Sequence, residues 1–103
     1  MRTKGFSDFY VTEIRIQPGA DGGWHSHPSP SIIAVKSGGE TLYDACNDFE
    51  DPYVYPAGTG FVEDADCVHL LANEGDDDDL VVVVIQTVPE DALRRIDEPA
   101  PLP

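Results

Sequence analysis

The stretch Gly23-Trp-His-Ser-His27 places two histidines, His25 and His27, one residue apart. Side chains on an extended strand alternate between its two faces, so both imidazoles can point to the same side of a strand. On a helix they would diverge by roughly 200°, because each residue turns the chain by about 100°. A third histidine, His69, lies in another strand-like run at residues 67–73. Because imidazole is a common metal ligand, this pattern predicts a metal site inside an all-β protein.

Glycines stand at fixed distances from the histidines in both halves of the chain. The matched positions are Gly19, His25, His27 and Gly38 in the first half, and Gly58, His69 and Asn73 in the second. This double pattern resembles the two sequence motifs of the cupin family, which are small β-barrels of the jelly-roll type. The resemblance spans about residues 11–89 and implies an all-β, cupin-type jelly-roll barrel with a metal held by His25, His27 and His69.

The chain departs from the family motifs at three positions. The first motif usually has a glutamate where this chain has Ser31, and the second has proline and glycine where this chain has Asp64 and Asp66. In many cupins that glutamate is a fourth metal ligand, so the resemblance implies the three-histidine subset, to which several iron-dependent dioxygenases belong. A serine hydroxyl is a poor ligand for a divalent ion, and Ser31 is interpreted as a partner for metal-bound water instead.

Other polar residues near the motifs allow two interpretations each. Cys67 would share a face with His69 on a regular strand, either as a soft fourth ligand or, as favoured here, as a small buried hydrophobe. Glu63 could place a carboxylate near the site, but its clustering with Asp64 and Asp66 favours a solvated turn. Asn73 is expected to bond to backbone at a turn rather than to contact a substrate.

Short extended runs alternate with turn-forming residues along most of the chain, which is typical of a sandwich or closed barrel. The sequence Ser37-Gly-Gly39 predicts a hairpin between two of these runs, and the polar residues 45–52 predict a loop. The predicted strands lie at residues 9–16, 23–27, 31–36, 40–44, 53–55, 60–63, 67–73 and 80–85.

The end of the chain differs in character from the rest. Residues 90–95 could form one or two helical turns, and the proline-rich end cannot join a sheet interior. We therefore expect one domain over residues 1–103, with the barrel at about 9–88. The proline-rich C-terminal tail at 89–103 would drape over the barrel or contact a second subunit.

Composition excludes several classes of partner and location. The 103 residues include twenty Asp and Glu but six Lys and Arg, giving a formal net charge of −14. Such a surface repels phosphate backbones and anionic lipid, so neither nucleic acid nor membrane is expected as a partner. The chain lacks an apolar membrane span and the apolar segment of a signal peptide, which predicts a cytoplasmic protein. Cys46 and Cys67 are then expected to be reduced.

The predicted ligand set leaves metal identity and function open. Three neutral imidazoles leave coordination positions for water or substrate, which suits Lewis-acid or dioxygen chemistry, and they accept iron, zinc, nickel, manganese or copper. One hypothesis is a small metalloenzyme acting on a small oxygen-bearing molecule, as a dioxygenase, isomerase or decarboxylase. The other is a non-catalytic cupin that binds a metal or small ligand. The sequence assigns no catalytic residue and no organic cofactor.

A homodimer is also expected. The N-terminal strand and the tail have few obvious partners within so small a barrel, and pairing would cover those edges. The family resemblance implies the same, since cupins commonly pair.

Overall fold

A computed structural model describes residues 7–46 and 52–101, and within these ranges the chain forms nine β-strands and no helix. The all-β prediction is therefore confirmed, while residues 90–95 contain a turn at residues 90 and 91 and no helix. Most of the predicted loop at 45–52 lies outside the described residues. The strands are β1 (Ser7–Ile16), β2 (His25–Ser26), β3 (Ser31–Ser37), β4 (Gly39–Asp44), β5 (Tyr53–Pro56), β6 (Gly60–Glu63), β7 (His69–Ala72), β8 (Leu80–Pro89) and β9 (Ile96–Asp97).

The strands form two antiparallel sheets. The four-stranded sheet has the order β1-β8-β3-β6, and the five-stranded sheet has the order β5-β4-β7-β2-β9. Alternation along each strand sends every second side chain inward. The resulting apolar core consists of Ile16, Ile33, Val35, Leu71, Leu80, Val82 and Val84. No helix in the described ranges is long and apolar enough to cross a membrane.

Gly38 marks a crossing from one sheet to the other, so the predicted hairpin at this point is wrong. β3 pairs with β6 and β8, whereas β4 pairs with β5 and β7. The backbone of Gly38 has a φ of +75°, and a Cβ at this position would lie 2.6 Å from the backbone oxygen of Asp79. Both constraints require glycine, and together they explain why the motif has one here.

Asp66 preserves the turn geometry of the second motif although it replaces the usual glycine. Its φ is +63°, in the left-handed region that aspartate tolerates better than most residues. The backbone N–H of Asp66 donates to the oxygen of His27 at 2.9 Å. This departure from the motif therefore keeps the turn that precedes β7.

Asn73 fastens the loop that follows β7, as the sequence predicted. Its side-chain amide donates to the backbone oxygens of Ile16 at 3.0 Å and Asp78 at 2.8 Å. Its side-chain oxygen accepts from the N–H of Gly75 at 3.1 Å. All of these partners are backbone groups, so Asn73 serves the fold and not a substrate.

The C-terminal tail lies against the barrel through the described residues. Strand β9 pairs with β2, at His25↔Asp97 and Ser26↔Ile96. The N–H of Glu98 donates to the oxygen of Trp24 at 3.0 Å, and the hydroxyl of Ser26 donates to the Glu98 carboxylate at 2.6 Å. The tail thus adds an edge strand directly beside the first two histidines.

Glu40 is an isolated carboxyl in the protein interior. Its side chain is fully buried, and neither of its oxygens has a hydrogen-bond partner among the described residues. Burial, together with the nearby charge of Glu63, raises the pKa of Glu40 from 4.5 to about 8. Because burial penalises the charged form, this carboxyl is mostly neutral at pH 7.

We expect Glu40→Gln to stabilise the protein at pH 8. The pKa of Glu40 is higher in the folded state than in the unfolded state, so the folded protein binds more protons between pH 4.5 and 8. Over that window the free energy of unfolding should fall by up to about 1.4 kcal/mol per pH unit in the wild type. Glutamine stays neutral and removes this loss.

Urea unfolding at pH 4.5 and pH 8 measures the effect, with the exposed Glu90→Gln as control. The increase in the free energy of unfolding caused by Glu40→Gln should be larger at pH 8 than at pH 4.5. A difference between wild type and Glu40→Gln that is the same at both pH values would contradict the prediction.

Candidate metal centre

The three predicted ligand histidines lie together in the interior. His25 and His69 are direct partners in the β2–β7 ladder, and His27 follows just after β2. The ring centroids are 4.8 Å apart for His25 and His27, 6.2 Å for His25 and His69, and 6.5 Å for His27 and His69. None of the three residues is more than 4% exposed.

Backbone carbonyls fix the orientation of the first two imidazoles. The Nδ1–H of His25 donates to the oxygen of Gly23 at 3.0 Å, and the Nδ1–H of His27 donates to the oxygen of Arg94 at 2.7 Å. A carbonyl only accepts, so a proton on Nδ1 satisfies both of these contacts, and Nδ1 of His27 also lies 3.0 Å from the side-chain amide nitrogen of Gln86. The Nε2 lone pairs are then free for a ligand, which is the usual arrangement behind a metal-binding histidine.

Glu63 brings a carboxylate against these rings. Its Oε1 lies 3.2 Å from the Nε2 of His27, and both side chains are buried. Two electron-pair donors repel each other at this distance, so the contact is satisfied either by a proton shared between the two groups or by a metal ion that both of them bind. The ligand atoms of His25, His27 and Glu63 all lie within 4.8 Å of one another.

The prediction of a solvated turn is wrong for Glu63, though Asp64 and Asp66 are exposed as expected. Glu63 is the last residue of β6 and pairs directly with Ser31 of β3. Its exposed fraction is 2%, because this pairing fixes its side chain on the inner face. The alternation of Phe61 and Glu63 on one face of the strand was the signal that could have identified it.

The carboxylate that the family motif places at position 31 is therefore present on the neighbouring strand. Directly opposed residues of an antiparallel pair have Cβ atoms roughly 4.5–5.5 Å apart, so Glu63 enters the same region as the side chain at 31. The small Ser31 leaves room for it. Two imidazoles and one carboxylate are a donor set that fits a divalent transition-metal ion with open positions.

His69 is oriented differently from the other two histidines. Its Nε2–H donates to the backbone oxygen of Asp64 at 3.3 Å, and its Nδ1 lies 3.7 Å from Oδ1 of Asp44. The group within 4.8 Å consists of His25, His27 and Glu63, without His69. The participation of His69 as a ligand therefore stays a prediction.

Burial keeps His25 in the form that binds metals. Burial lowers the pKa of His25 most strongly, and the positive charge of Arg95 and the proximity of His27 lower it further. The Gly23 carbonyl and the charge of Glu63 act in the opposite direction and are outweighed. The lowered pKa favours the neutral imidazole, whose lone pair can coordinate an ion.

Several buried polar atoms around the histidines lack a hydrogen-bond partner among the described residues. Buried polar groups in proteins nearly always have a hydrogen-bond partner, so such a cluster indicates a group that binds there. An ion with its bound water would satisfy these atoms. Among the described residues near the rings, they are Ser31 Oγ, Glu63 Oε2, His69 Nδ1 and Gln86 Oε1.

The cysteines form a disulfide, which corrects both expectations for Cys67. Cys46 and Cys67 are bonded to each other, with their Cα atoms 5.8 Å apart, so Cys67 is neither a reduced hydrophobe nor a free soft ligand. The β4–β7 ladder pairs Asp44 with His69, and continuing that register by two residues sets Cys46 opposite Cys67. The spacing of the two cysteines in the sequence does not show which residues of β4 and β7 pair with each other.

Comparisons with known proteins agree with this architecture. The family model described as "Cupin domain" matches residues 12–86. A comparison with curated protein sequences gives no significant match.

Solved structures show the same fold at low sequence identity. A conserved protein with a double-stranded β-helix domain from Klebsiella pneumoniae is 21% identical, with a TM-score of 0.70 over 89% of this chain and 72% of that one. An RmlC-like cupin family protein from Methanocaldococcus jannaschii is 19% identical, with a TM-score of 0.68 over 78% of this chain and 70% of that one. Oxalate decarboxylase is 22% identical, with a TM-score of 0.72 over 86% of this chain and 23% of that one.

We expect removal of the disulfide by Cys46→Ser with Cys67→Ser to lower the free energy of unfolding by about 2–4 kcal/mol. The two cysteines are 21 residues apart, and the bond restricts the unfolded chain across that loop. Urea unfolding without reductant measures the change, with reduced wild-type protein as control. Equal midpoints for the oxidised, reduced and substituted proteins would contradict it.

Proposed function

The chain belongs to the cupin family, and we propose that it is a small metalloenzyme that acts on a small oxygen-bearing molecule. The observation that supports this most directly is the buried contact of 3.2 Å between Nε2 of His27 and Oε1 of Glu63, which brings two potential metal ligands together in the interior. His25, oriented by its own backbone hydrogen bond, lies beside the pair. We infer that these three residues hold one divalent transition-metal ion, with His69 as a further ligand.

The ligand set restricts the type of reaction more than it restricts the identity of the metal. Iron, zinc, nickel, manganese and copper all accept imidazole and carboxylate ligands. His25, His27 and Glu63 form the set of two histidines and one carboxylate that is typical of non-haem iron(II) oxygenases, and a fourth ligand from His69 would still leave positions open; this favours a dioxygenase over an isomerase or decarboxylase. The bound ion would supply Lewis acidity and a site for an oxygen ligand.

The chain's own residues would prepare the site for that chemistry. The carbonyls of Gly23 and Arg94 hold the two imidazoles in one tautomer. Aliphatic side chains from both sheets line the same pocket and would limit the access of water to a bound ion. They are Ile14, Ile16, Ile33, Leu71 and Val84.

A non-catalytic cupin that binds a metal or small ligand is the second candidate. The described residues that line the pocket include no acid or base other than His25, His27, Glu63, Arg94 and Arg95. If the first three hold an ion, no separate general base remains, which favours a binding role. The cytoplasmic location also stays a prediction, and the disulfide is more typical of an oxidising compartment.

We expect Glu63→Gln to weaken binding of Zn²⁺. Loss of a residue that only supports a ligand already costs about 10–100-fold in metal affinity, so loss of a direct ligand should cost at least as much. Isothermal titration with Zn²⁺ measures this for wild type and for Glu63→Gln. Glu90→Gln, an exposed change of the same kind, should have no effect.

An exchange of side chains tests whether a carboxylate at position 31 and a carboxylate at position 63 reach the same ion. Ser31→Glu combined with Glu63→Ser moves the carboxylate back to the motif position, and it should bind Zn²⁺ more tightly than Glu63→Ser alone. Equal Zn²⁺ affinity for wild type and Glu63→Gln would show that Glu63 is not a ligand. His69→Ala in the same titration decides whether His69 is a ligand.

We propose a homodimer that forms through the outer face of the four-stranded sheet. Ladder pairing places Val11, Ile85, Ile32 and Val62 in one row across all four strands. Three of them are more than half exposed, at 63% for Val11, 53% for Ile32 and 59% for Val62. In a chain with a net charge of −14, a row without charges is where a second copy can approach with least repulsion.

We expect Ile32→Lys to yield a monomer under conditions where the wild type is a dimer. A lysine in the centre of the row would be buried without a partner charge if two copies stacked there. Sedimentation velocity at micromolar concentrations distinguishes the two masses. Val54→Lys, at a position 70% exposed on the other sheet, is the matched control. A monomeric wild type, or a dimeric Ile32→Lys, would reject this interface.

A further inference from the structure

The disulfide lies beside a buried carboxylate. A carboxylate oxygen of Asp44 and the sulfurs of Cys46 and Cys67 all lie within 4.8 Å of one another. Asp44 is 7% exposed, whereas Cys46 is exposed and Cys67 is partly buried. This group of three side chains is therefore fixed in the interior at Asp44 and open to solvent at Cys46. It shares no residue with the group of ligand atoms in the candidate metal centre.

Backbone pairing holds these side chains together independently of the disulfide. Asp44 is the last residue of β4, and the N–H of the next residue, Ala45, donates to the oxygen of Val68 at 2.9 Å. Pairing between β4 and the chain before β7 thus continues up to the cysteines. Cys46 and Cys67, whose Cα atoms are 5.8 Å apart, would therefore stay opposite each other after reduction.

The carboxylate of Asp44 is directed toward the cysteines. The backbone N–H of Cys46 donates to Oδ1 of Asp44 at 2.9 Å, and Nδ1 of His69 lies 3.7 Å from the same oxygen. His69 is fully buried, and its Nδ1 has no hydrogen-bond partner among the described residues. Because buried polar atoms nearly always have a partner, this nitrogen is an independent sign that a further group binds beside Asp44.

Two thiolates and one carboxylate are a donor set that suits zinc. Zn²⁺ binds cysteine sulfur at about 2.3 Å and aspartate oxygen at about 2.0–2.2 Å, usually with four ligands. Small rotations of the two cysteine side chains would separate the sulfurs to the roughly 3.8 Å that a tetrahedral ion requires. Nδ1 of His69 or a water molecule would take the fourth position. Thiolates also select zinc over magnesium and calcium, which prefer oxygen ligands.

Reduction of the disulfide would supply the two thiols. A dithiol reductant transfers two electrons and two protons to the disulfide, so that the S–S bond breaks, two thiols form and the reductant becomes a disulfide. Zn²⁺ then binds as both thiols release their protons to solvent. The ion would offset two of the three negative charges on its ligands. Such binding is favoured in a chain with a formal net charge of −14.

We propose that Cys46, Cys67 and Asp44 bind one Zn²⁺ when the disulfide is reduced. The two cysteines then hold either a covalent bond or an ion, and the redox state of the surroundings selects between them. In a reducing compartment the ion would replace the disulfide as the link between β4 and the chain before β7. This site goes beyond the proposed function, because none of its three ligands belongs to the candidate metal centre.

Titration with Co²⁺ tests the inference, because cobalt bound by thiolates absorbs strongly in the near ultraviolet. Cobalt bound only by imidazole and carboxylate lacks this absorption, which separates the two sites. Wild-type protein is reduced with dithiothreitol, freed of it under nitrogen and titrated beside the oxidised protein. The reduced protein should bind one more Co²⁺ per chain and show the thiolate absorption. Added Zn²⁺ should displace this Co²⁺ and remove the absorption.

Substitutions identify the ligands. Cys46→Ser combined with Cys67→Ser should show no thiolate absorption under either condition. Asp44→Asn should weaken Co²⁺ binding to the reduced protein by about tenfold or more, since loss of a residue that only supports a ligand already costs that much. Asp76→Asn, the same change at an exposed position, should have no effect. Glu63→Gln should keep the thiolate absorption, so this site stands even if the oxidised protein binds no metal.

Two results would overturn the proposed site. In the first, the reduced wild type binds Co²⁺ without thiolate absorption, or unfolds and does not refold when Co²⁺ is added. In the second, reduced Asp44→Asn binds Co²⁺ as tightly as the reduced wild type, which would show that the carboxylate is not a ligand.

Discussion

Antiparallel pairing around β3 is the constraint on which the site depends. Ser31 lies between Glu63 of β6 and Gln86 of β8, and pairing forces all three side chains onto the inner face. A shift of one residue in either ladder would turn the buried polar row outward and replace it with Val62 or Ile85. The position of the carboxylate is thus decided by register between distant parts of the chain. The identity of the residue at the motif position matters less.

The buried polar side chains of both sheets lower the stability that this small core can provide. Glu40, Glu63, Gln86 and His69 are fully or almost fully buried, where aliphatic side chains would contribute directly to stability. A bound ion and its water would supply the contacts that these buried polar atoms lack and would offset part of the lost stability. The fold therefore gives up part of its apolar interior to provide polar groups at fixed positions, which is the usual compromise at a functional site.

The sequence was sufficient for most strand positions, which depend on local pattern, although the hairpin at Gly38 and the helical turns at residues 90–95 were wrong. Short extended runs between turn-forming residues located eight of the nine strands, and the spacing of His25, His27 and His69 placed all three rings in one interior region. It was insufficient where pairing between strands decides the outcome. Glu63 was assigned to a turn and Cys46 and Cys67 to the reduced state, because neither cross-strand register nor sheet order is visible in a linear spacing. Strand β9 was missed because two residues give no periodic signal.

The role of the tail has a consequence for how the protein is made. The carbonyl that fixes the tautomer of His27 belongs to Arg94, and the strand that covers β2 begins at Ile96. During synthesis the three histidines leave the ribosome well before these residues. A growing chain could close much of both sheets and still lack an ordered ligand set. The orientation of His27 is therefore fixed late, after the rest of the barrel has been translated.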